Sequence, residues 1–202
     1  MKTLYVSDLD GTLFNSKKQL TPYTQHVLNT YIRSGGLFTV ATARTAYGCD
    51  YRLEGAEISV PGILMNGVFL YTFKTKRYVD ARVMPPESIR EIERTLARHN
   101  ATGFVYTFGE NNLSLFYTNP DDLQHTQYFS KQAQETCAEI AQAESLHKAA
   151  EGRDAVYFAL TGKKNAVHPI YRDILEIPGI NAVMYLNVYN GLYCLEVFDA
   201  QA

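Results

Sequence analysis

The chain opens on an apolar run, Leu4 to Val6, which ends in two acids two residues apart, Asp8 and Asp10, followed by Gly11-Thr12-Leu13. That pattern predicts a short buried strand with Asp8 at its carboxyl end, the edge where open α/β sheets bind ligands. After a polar loop from Phe14 to Leu20, Thr21-Pro22 reads as a helix N-cap and first helical residue. Val27, Leu28, Tyr31 and Ile32 recur at helical spacing, and Gly35-Gly36 stop the helix. Leu37 to Ala41 predicts a second strand. The result is a β-α-β unit whose crossover is long enough for parallel pairing. Thr45 to Leu53 predicts a helix and Gly62 to Met65 a third strand, ending in Asn66-Gly67. Phe69 to Phe73 and Arg77 to Val79 predict a hairpin around Lys74-Thr75-Lys76.

Met84-Pro85-Pro86 breaks the pattern and marks a linker, so the first domain is expected to span residues 1–83 and the second 84–198. Residues 199–202 then begin a return to the first domain. Within the second domain, Pro86 to His99 is amphipathic, with Ile89, Ile92 and Leu96 inward. Thr102 to Phe108 and Leu113 to Tyr117 read as strands. Pro120 to about Ala143 reads as a helix capped by Asn119. Ala155 to Thr161 is a predicted strand and Asn165 to Leu175 a helix. Ile180 to Val188 and Leu192 to Phe198 form a last hairpin around Asn190-Gly191. This order suggests an antiparallel sheet with helices on one face.

At 202 residues, 46% hydrophobic and 20% charged, the composition is that of an ordinary globular protein. A net charge of -2 argues against nucleic acid or an anionic membrane as the main partner. No run reaches the roughly 18 apolar residues of a membrane span. Met1-Lys2-Thr3 leads straight into the first strand, so no secretory leader is expected and the cytoplasm is the default location. Cys49, Cys137 and Cys194 are scattered and suggest neither a disulfide framework nor a zinc site. His26, His99, His125, His147 and His168 are dispersed, with no ligand spacing among them.

The candidate chemistry therefore returns to the first motif. Residues i and i+2 leaving a strand point the same way, so Asp8 and Asp10 can face one pocket. Two such carboxylates repel each other unless a cation or proton intervenes. Mg2+ suits them, because it takes few protein ligands and keeps positions for phosphate oxygens. The functional reading is phosphoryl transfer, with Asp8 attacking phosphorus and Asp10 moving the proton. The plainer reading is an acidic turn. A calcium loop is rejected, since counting from Asp8 puts Leu13 and Gln19 where an EF-hand needs Gly and Glu.

At the end of the second strand, Thr42-Ala43-Arg44 offers a hydroxyl and a guanidinium to a phosphate, although a Thr there commonly caps a helix. Asn66-Gly67 reads either as a plain turn or as part of the pocket. Lys17 and Lys18 suit either a phosphate-attracting flap or a solvated loop. Tyr185, Tyr189 and Tyr193 suit strand packing or a sugar-stacking platform.

The decamer Leu4 to Leu13 resembles the first motif of the haloacid dehalogenase-like hydrolases. Thr42-Ala43-Arg44 resembles their second motif, with Ala43 in place of a common glycine. Ile63-Leu64-Met65-Asn66-Gly67 resembles a segment of the Cof-like, type IIB branch. The resemblance implies an α/β fold: a partial Rossmann-like parallel-sheet core with an inserted α+β cap. It implies a Mg2+-dependent phosphatase of a small phosphorylated metabolite, a sugar phosphate or a cofactor phosphate. Asp8 would be the nucleophile that carries an aspartyl-phosphate. Asp10 would be the acid and base. Thr42, Ala43, Arg44, Asn66 and Gly67 would line the phosphate site. Mg2+ would bind the Asp8 carboxylate and the Asp10 backbone carbonyl.

The family also uses a lysine and an acidic loop after the cap, and neither is present by Ala202. Lys163-Lys164, following Leu160-Thr161-Gly162 in the second domain, reads as a solvated helix start rather than that lysine. The expectation is a fragment with little activity alone, whose first strand presents an unpaired edge and self-associates. A phosphomannomutase-type transferase and a degenerate phospho-ligand binder are the alternatives.

Overall fold

The computed structural model describes residues 3–125, 137–187 and 190–202. It divides into two compact units, residues 1–81 with Ala202, and residues 82–201.

In the first unit, β1 (Leu4–Ser7) pairs in parallel with β2 (Leu37–Val40), with Leu4 opposite Leu37 and Ser7 opposite Val40. The crossover is α1 (Pro22–Arg33). Thr21 caps it by accepting the Thr24 N–H at 3.1 Å, and Pro22 occupies the first turn, where its missing N–H costs nothing. Tyr31 packs edge-on to Tyr5, at 5.7 Å between centroids. A short α2 (Ala46–Asp50) follows β2. The next strand, β3 (Gly62–Leu64), meets the end of β2 through a single parallel bridge, Ala41 to Ile63. It then turns into an antiparallel sheet with β4 (Phe69–Thr72) and β5 (Arg77–Ala81).

The first strand was expected to be buried, and it is not. Leu4, Tyr5 and Val6 are 47%, 57% and 48% exposed. The cause is pairing: among the described residues β1 has only β2 beside it, so one edge stays open.

The second unit is built on a six-stranded sheet. Its chain order begins with α3 (Pro86–Arg98), β6 (Phe104–Gly109) and β7 (Asn112–Tyr117). It continues with β8 (Glu139–Gln142), α4 (Leu146–Ala150), β9 (Asp154–Gly162), α5 (Lys164–Ile174), β10 (Ile180–Asn187) and β11 (Leu192–Asp199). The strands lie in the order β10-β11-β9-β6-β7-β8. Every pairing is antiparallel except β7 with β8.

Ile89, Ile92 and Leu96 of α3 and Val167, Ile170 and Ile174 of α5 join Val105, Phe158 and Leu195 of the sheet in one apolar cluster. Each such side chain contributes about 1.5–3 kcal/mol when fully buried. Other strand positions carry a second set of rings, with Tyr106 against Tyr157 and Tyr157 stacked on Phe198, each at 5.8 Å.

One predicted element differs. Pro120 begins only a 3-10 turn, Pro120–His125, and residues 139–142 form β8 instead of the end of a helix. The part of that predicted helix at 126–136 lies outside the described residues. The strand wins at 139–142 because Ile140 and Ala141 pair with Leu115 and Phe116 along β7. Long-range pairing of this kind overrides local helical preference. In the last hairpin Val188 and Tyr189 also lie outside the described residues. Gly191, at φ 72°, donates to the Asn187 carbonyl at 2.9 Å.

Candidate active site

The carboxyl ends of β1, β2 and β3 are tied together by backbone hydrogen bonds. Ala41 N–H donates to Ser7 O at 2.9 Å, and Thr42 N–H to Ile63 O at 2.9 Å. Met65 N–H reaches Arg44 O at 3.2 Å, and Asn66 N–H reaches Thr42 O at 3.4 Å. All three sequence segments singled out above therefore meet at one edge.

The chain leaves β1 through a wide turn, Leu9–Leu13, closed by Phe14 N–H to Leu9 O at 2.8 Å. Leu9 is fully buried while Asp8 and Asp10 on either side are exposed. That alternation leaves both acids on the exposed side of the turn. Gly11 makes the turn possible with φ 78°.

Asp10 is not left to solvent. Arg44 grips it with two parallel bonds, Nε to Oδ2 at 2.6 Å and Nη2 to Oδ1 at 2.7 Å. This is the fork-on-fork geometry that arginine makes with a carboxylate. The bonds from Arg44 hold the Asp10 carboxyl below its usual range; partial burial opposes this, and the charges of Arg44, Lys18 and Arg52 reinforce it. The same bonds raise Arg44 against its own burial.

Thr42 is buried and does not cap the following helix. The cap of α2 is Thr45, which accepts the Gly48 N–H at 3.3 Å. The Thr42 hydroxyl instead accepts Arg44 N–H at 3.2 Å, which leaves its own proton to give. Ala43 between them is exposed. Met65, Asn66 and Gly67 all have positive φ, at 50°, 57° and 97°. A buried methionine in that region is uncommon and marks a tightly determined turn. A Cβ on Gly67 would lie 2.4 Å from the Ala202 carbonyl carbon, so only glycine fits.

Sequence reasoning missed Arg52. Its Nη1 donates to the Gly48 carbonyl at 3.0 Å, the same oxygen that Arg44 Nη1 approaches at 3.5 Å. The signal was the spacing of Arg44, Gly48 and Arg52, four residues apart, with the two arginines just outside either end of α2. The loop that carries Lys17 and Lys18 is an ordered turn. Asn15 Oδ1 accepts the N–H of Lys17 at 2.9 Å and of Gln19 at 3.1 Å. Asn15 N–H in turn donates to Gln19 O at 3.0 Å.

Other candidates fall elsewhere. His99 bonds Asp173 at 2.9 Å, and His147 bonds Glu93, both within the second unit. Tyr185 donates to Glu196 at 2.9 Å, and Lys164 lies over the Tyr193 ring. Tyr189 and the His125 side chain lie outside the described residues. A cavity of about 700 Å³ lined by Tyr47, Asp50, Tyr51, Phe73, Lys74 and Lys76 contains neither Asp8 nor Asp10. Among the described residues no three His, Cys, Asp or Glu side chains gather into a metal cluster. No described helix is long and apolar enough to cross a membrane.

The family model for haloacid dehalogenase-like hydrolases matches residues 5–198. Pyridoxal phosphate phosphatase YbhA of Escherichia coli (strain K12) is 28% identical over 159 residues, covering 76% of this chain. The chain spans 56% of that relative's length. Among solved structures, the phosphatase BT1666 of Bacteroides thetaiotaomicron superposes with a TM-score of 0.69 at 16% identity, covering 99% of this chain and 68% of its own. The subclass IIB sugar phosphatase BT4131 does so at 0.65 and 14% identity, covering 99% and 71%. These two likenesses show the fold, a mixed α/β architecture. The match of the family model, over nearly the whole sequence and across both units, makes the chain a member of the haloacid dehalogenase-like hydrolases.

Proposed function

We propose that the chain hydrolyses a phosphomonoester of a small metabolite, a sugar phosphate or a phosphorylated cofactor, through an aspartyl-phosphate on Asp8. One observation carries the reading: Asp8 and Asp10 flank a buried Leu9 at the edge where the Thr42 and Asn66 segments are hydrogen-bonded together. In the first step an Asp8 oxygen bonds to phosphorus while the ester P–O bond breaks, and Asp10 gives its proton to the leaving oxygen. In the second, Asp10 takes a proton from water as that water attacks phosphorus and releases Asp8. Thr42 donates its hydroxyl to the phosphoryl group, and Ala43, Asn66 and Gly67 line it.

Asp10 must be protonated to act first, and Arg44 holds it ionised. Turning the Arg44 fork onto an incoming phosphate removes that hold. Arginine serves either partner, because both present two oxygens at similar spacing.

The donors present fit a loosely held hard cation. Asp8 offers a carboxylate and Asp10 its backbone carbonyl, while the Asp10 carboxylate is taken by Arg44. Mg2+ tolerates so few protein ligands because water and phosphate oxygens complete its shell. When bound it offsets phosphate charge. The second unit, residues 82–201, is assigned the selection of substrate. The open edge of β1 supports pairing with a second copy of the chain.

The test is a screen of small phosphomonoesters with the full gene product that carries these residues. Phosphate release that needs Mg2+ and stops with chelator is expected, with a loss of at least about 10³-fold in Asp8→Asn. Activity that survives Asp8→Asn overturns the proposal. Transfer of phosphate to a second hexose phosphate in place of water would make the enzyme a mutase.

A further inference from the structure

The six-stranded sheet of the second unit ends in two edges, β8 and β10. Proteins protect such edges with short strands, charged side chains, proline or bulges, because an open row of N–H and C=O groups templates pairing with another chain. β8 follows that rule. It has four residues, and one of them, Glu139, is charged and lies 3.8 Å from Arg153. β10 does not follow it. It runs for eight residues, Ile180-Asn181-Ala182-Val183-Met184-Tyr185-Leu186-Asn187, with no charge and no proline. Its pairing with β11 is continuous from Ile180 opposite Asp199 to Asn187 opposite Leu192, so no bulge bends it away. Among the described residues no strand pairs with its other side. Val183, Tyr185 and Leu186 are 36%, 43% and 45% exposed.

Side chains along β10 alternate between two faces. Ile180 and Ala182 belong to the apolar cluster that the helices cover, Met184 packs against it, and Leu186 continues that row into solvent. Asn181, Val183, Tyr185 and Asn187 share the other face. Two copies of the strand set antiparallel about a two-fold axis through Met184 keep every residue on its own face. Val183 of one copy then stands opposite Tyr185 of the other, a β-branched and aromatic pair of the kind that stabilises sheets. Ala182 stands opposite Leu186, which brings the exposed leucine beside an apolar cluster. Asn181 stands opposite Asn187. Charge favours a second copy as the occupant. A two-fold pairing sets side chains near their own counterparts, so a charged strand would repel itself, and β10 carries no charge. The same neutrality gives a charged foreign segment nothing in this strand to pair with.

We propose that β10 is the edge through which two copies of this chain associate, joining their sheets into one about a two-fold axis at Met184. The interface lies wholly in the second unit, so it does not rest on the phosphatase reading.

The test uses the full gene product carrying Tyr5→Lys, which removes the edge of β1 as a competing contact. Sedimentation is expected to show a monomer–dimer equilibrium that stops at the dimer. Val183→Lys and Val183→Glu should each weaken the dimer about tenfold or more, and mixing the two variants should restore it, because opposite charges then lie diagonally across the axis. Met184→Cys, combined with Cys137→Ser and Cys194→Ser, should give a disulfide-linked dimer when oxidised with copper phenanthroline. The axis leaves the two Cα atoms about 4.5–5.5 Å apart, within disulfide reach. Asn181→Cys in the same background, three residues from the axis in each copy, should not cross-link. Thermal melts check that each variant is folded. A monomer at all concentrations, a dimer that Val183→Lys leaves intact, or cross-linking of Asn181→Cys as readily as Met184→Cys overturns the proposal.

Discussion

At Asn66 a turn role and a pocket role predict different things. Its φ of 57° favours Gly and Asn over other residues. If only the turn matters, Asn66→Gly keeps both stability and turnover, while Asn66→Ala loses about 1 kcal/mol. If the amide reaches the phosphate, both variants lose turnover and only alanine also loses stability. Denaturant melts beside phosphate-release assays separate the cases, and loss of turnover in both is the outcome expected here. Arg44 gives a second residue-scale prediction. Its bonds lower the Asp10 carboxyl, so Arg44→Ala should raise the Asp10 titration midpoint, read by carboxyl carbon NMR. The sign also sets the pH window. The pair stabilises the fold above the ordinary aspartate range and ceases to do so as pH falls through the lowered midpoint. Partial exposure keeps that contribution to about 1 kcal/mol or less.

At the scale of elements, α3 and α4 are joined by a carboxylate rather than by apolar contact alone. Glu93 accepts the Leu146 N–H at 2.7 Å and the Ser145 hydroxyl at 3.1 Å, and also bonds His147. It therefore caps the start of α4 from a neighbouring helix. Burial opposes ionisation of Glu93, but the bonds from His147, the Leu146 amide and Ser145 outweigh it and hold the carboxyl below the usual glutamate range. Its contribution is present above that usual range and is lost as pH falls through the lowered midpoint. Glu93→Ala is expected to cost about 1–2 kcal/mol near neutral pH, and less in acid. Urea melts of the wild type and variant, converging as pH is lowered, are the check. A gap that stays constant with pH would mean that packing, not charge, is lost. Such a cap cannot be read from the chain, because Glu93 and Leu146 are far apart in sequence.

At the scale of the whole chain, the open edge of β1 is the exposed feature with the clearest consequence. Leu4, Tyr5 and Val6 are half-exposed on a strand that, among the described residues, pairs only with β2, and an open edge of this kind can template pairing with another chain. Sedimentation of residues 1–202 should show concentration-dependent association, reduced by Tyr5→Lys. A monomer at all concentrations would dismiss that expectation.

Much of this architecture was legible in the residues. The run from Leu4 to Val6, the Thr21-Pro22 start of α1, the inward Ile89, Ile92 and Leu96, and the Asn190-Gly191 turn are local patterns, and local patterns depend on period and turn chemistry. The stretch at 139–142 was not legible, since a strand made by pairing with a remote partner carries no local signature. The sequence by itself therefore determined most of the elements and the acidic pair that follows the first strand. Only the tertiary structure decided that Arg44 holds Asp10 and that Arg52 shares the Gly48 carbonyl. Those are distances between side chains brought together by the crossing of separate segments, and no spacing along one segment encodes them.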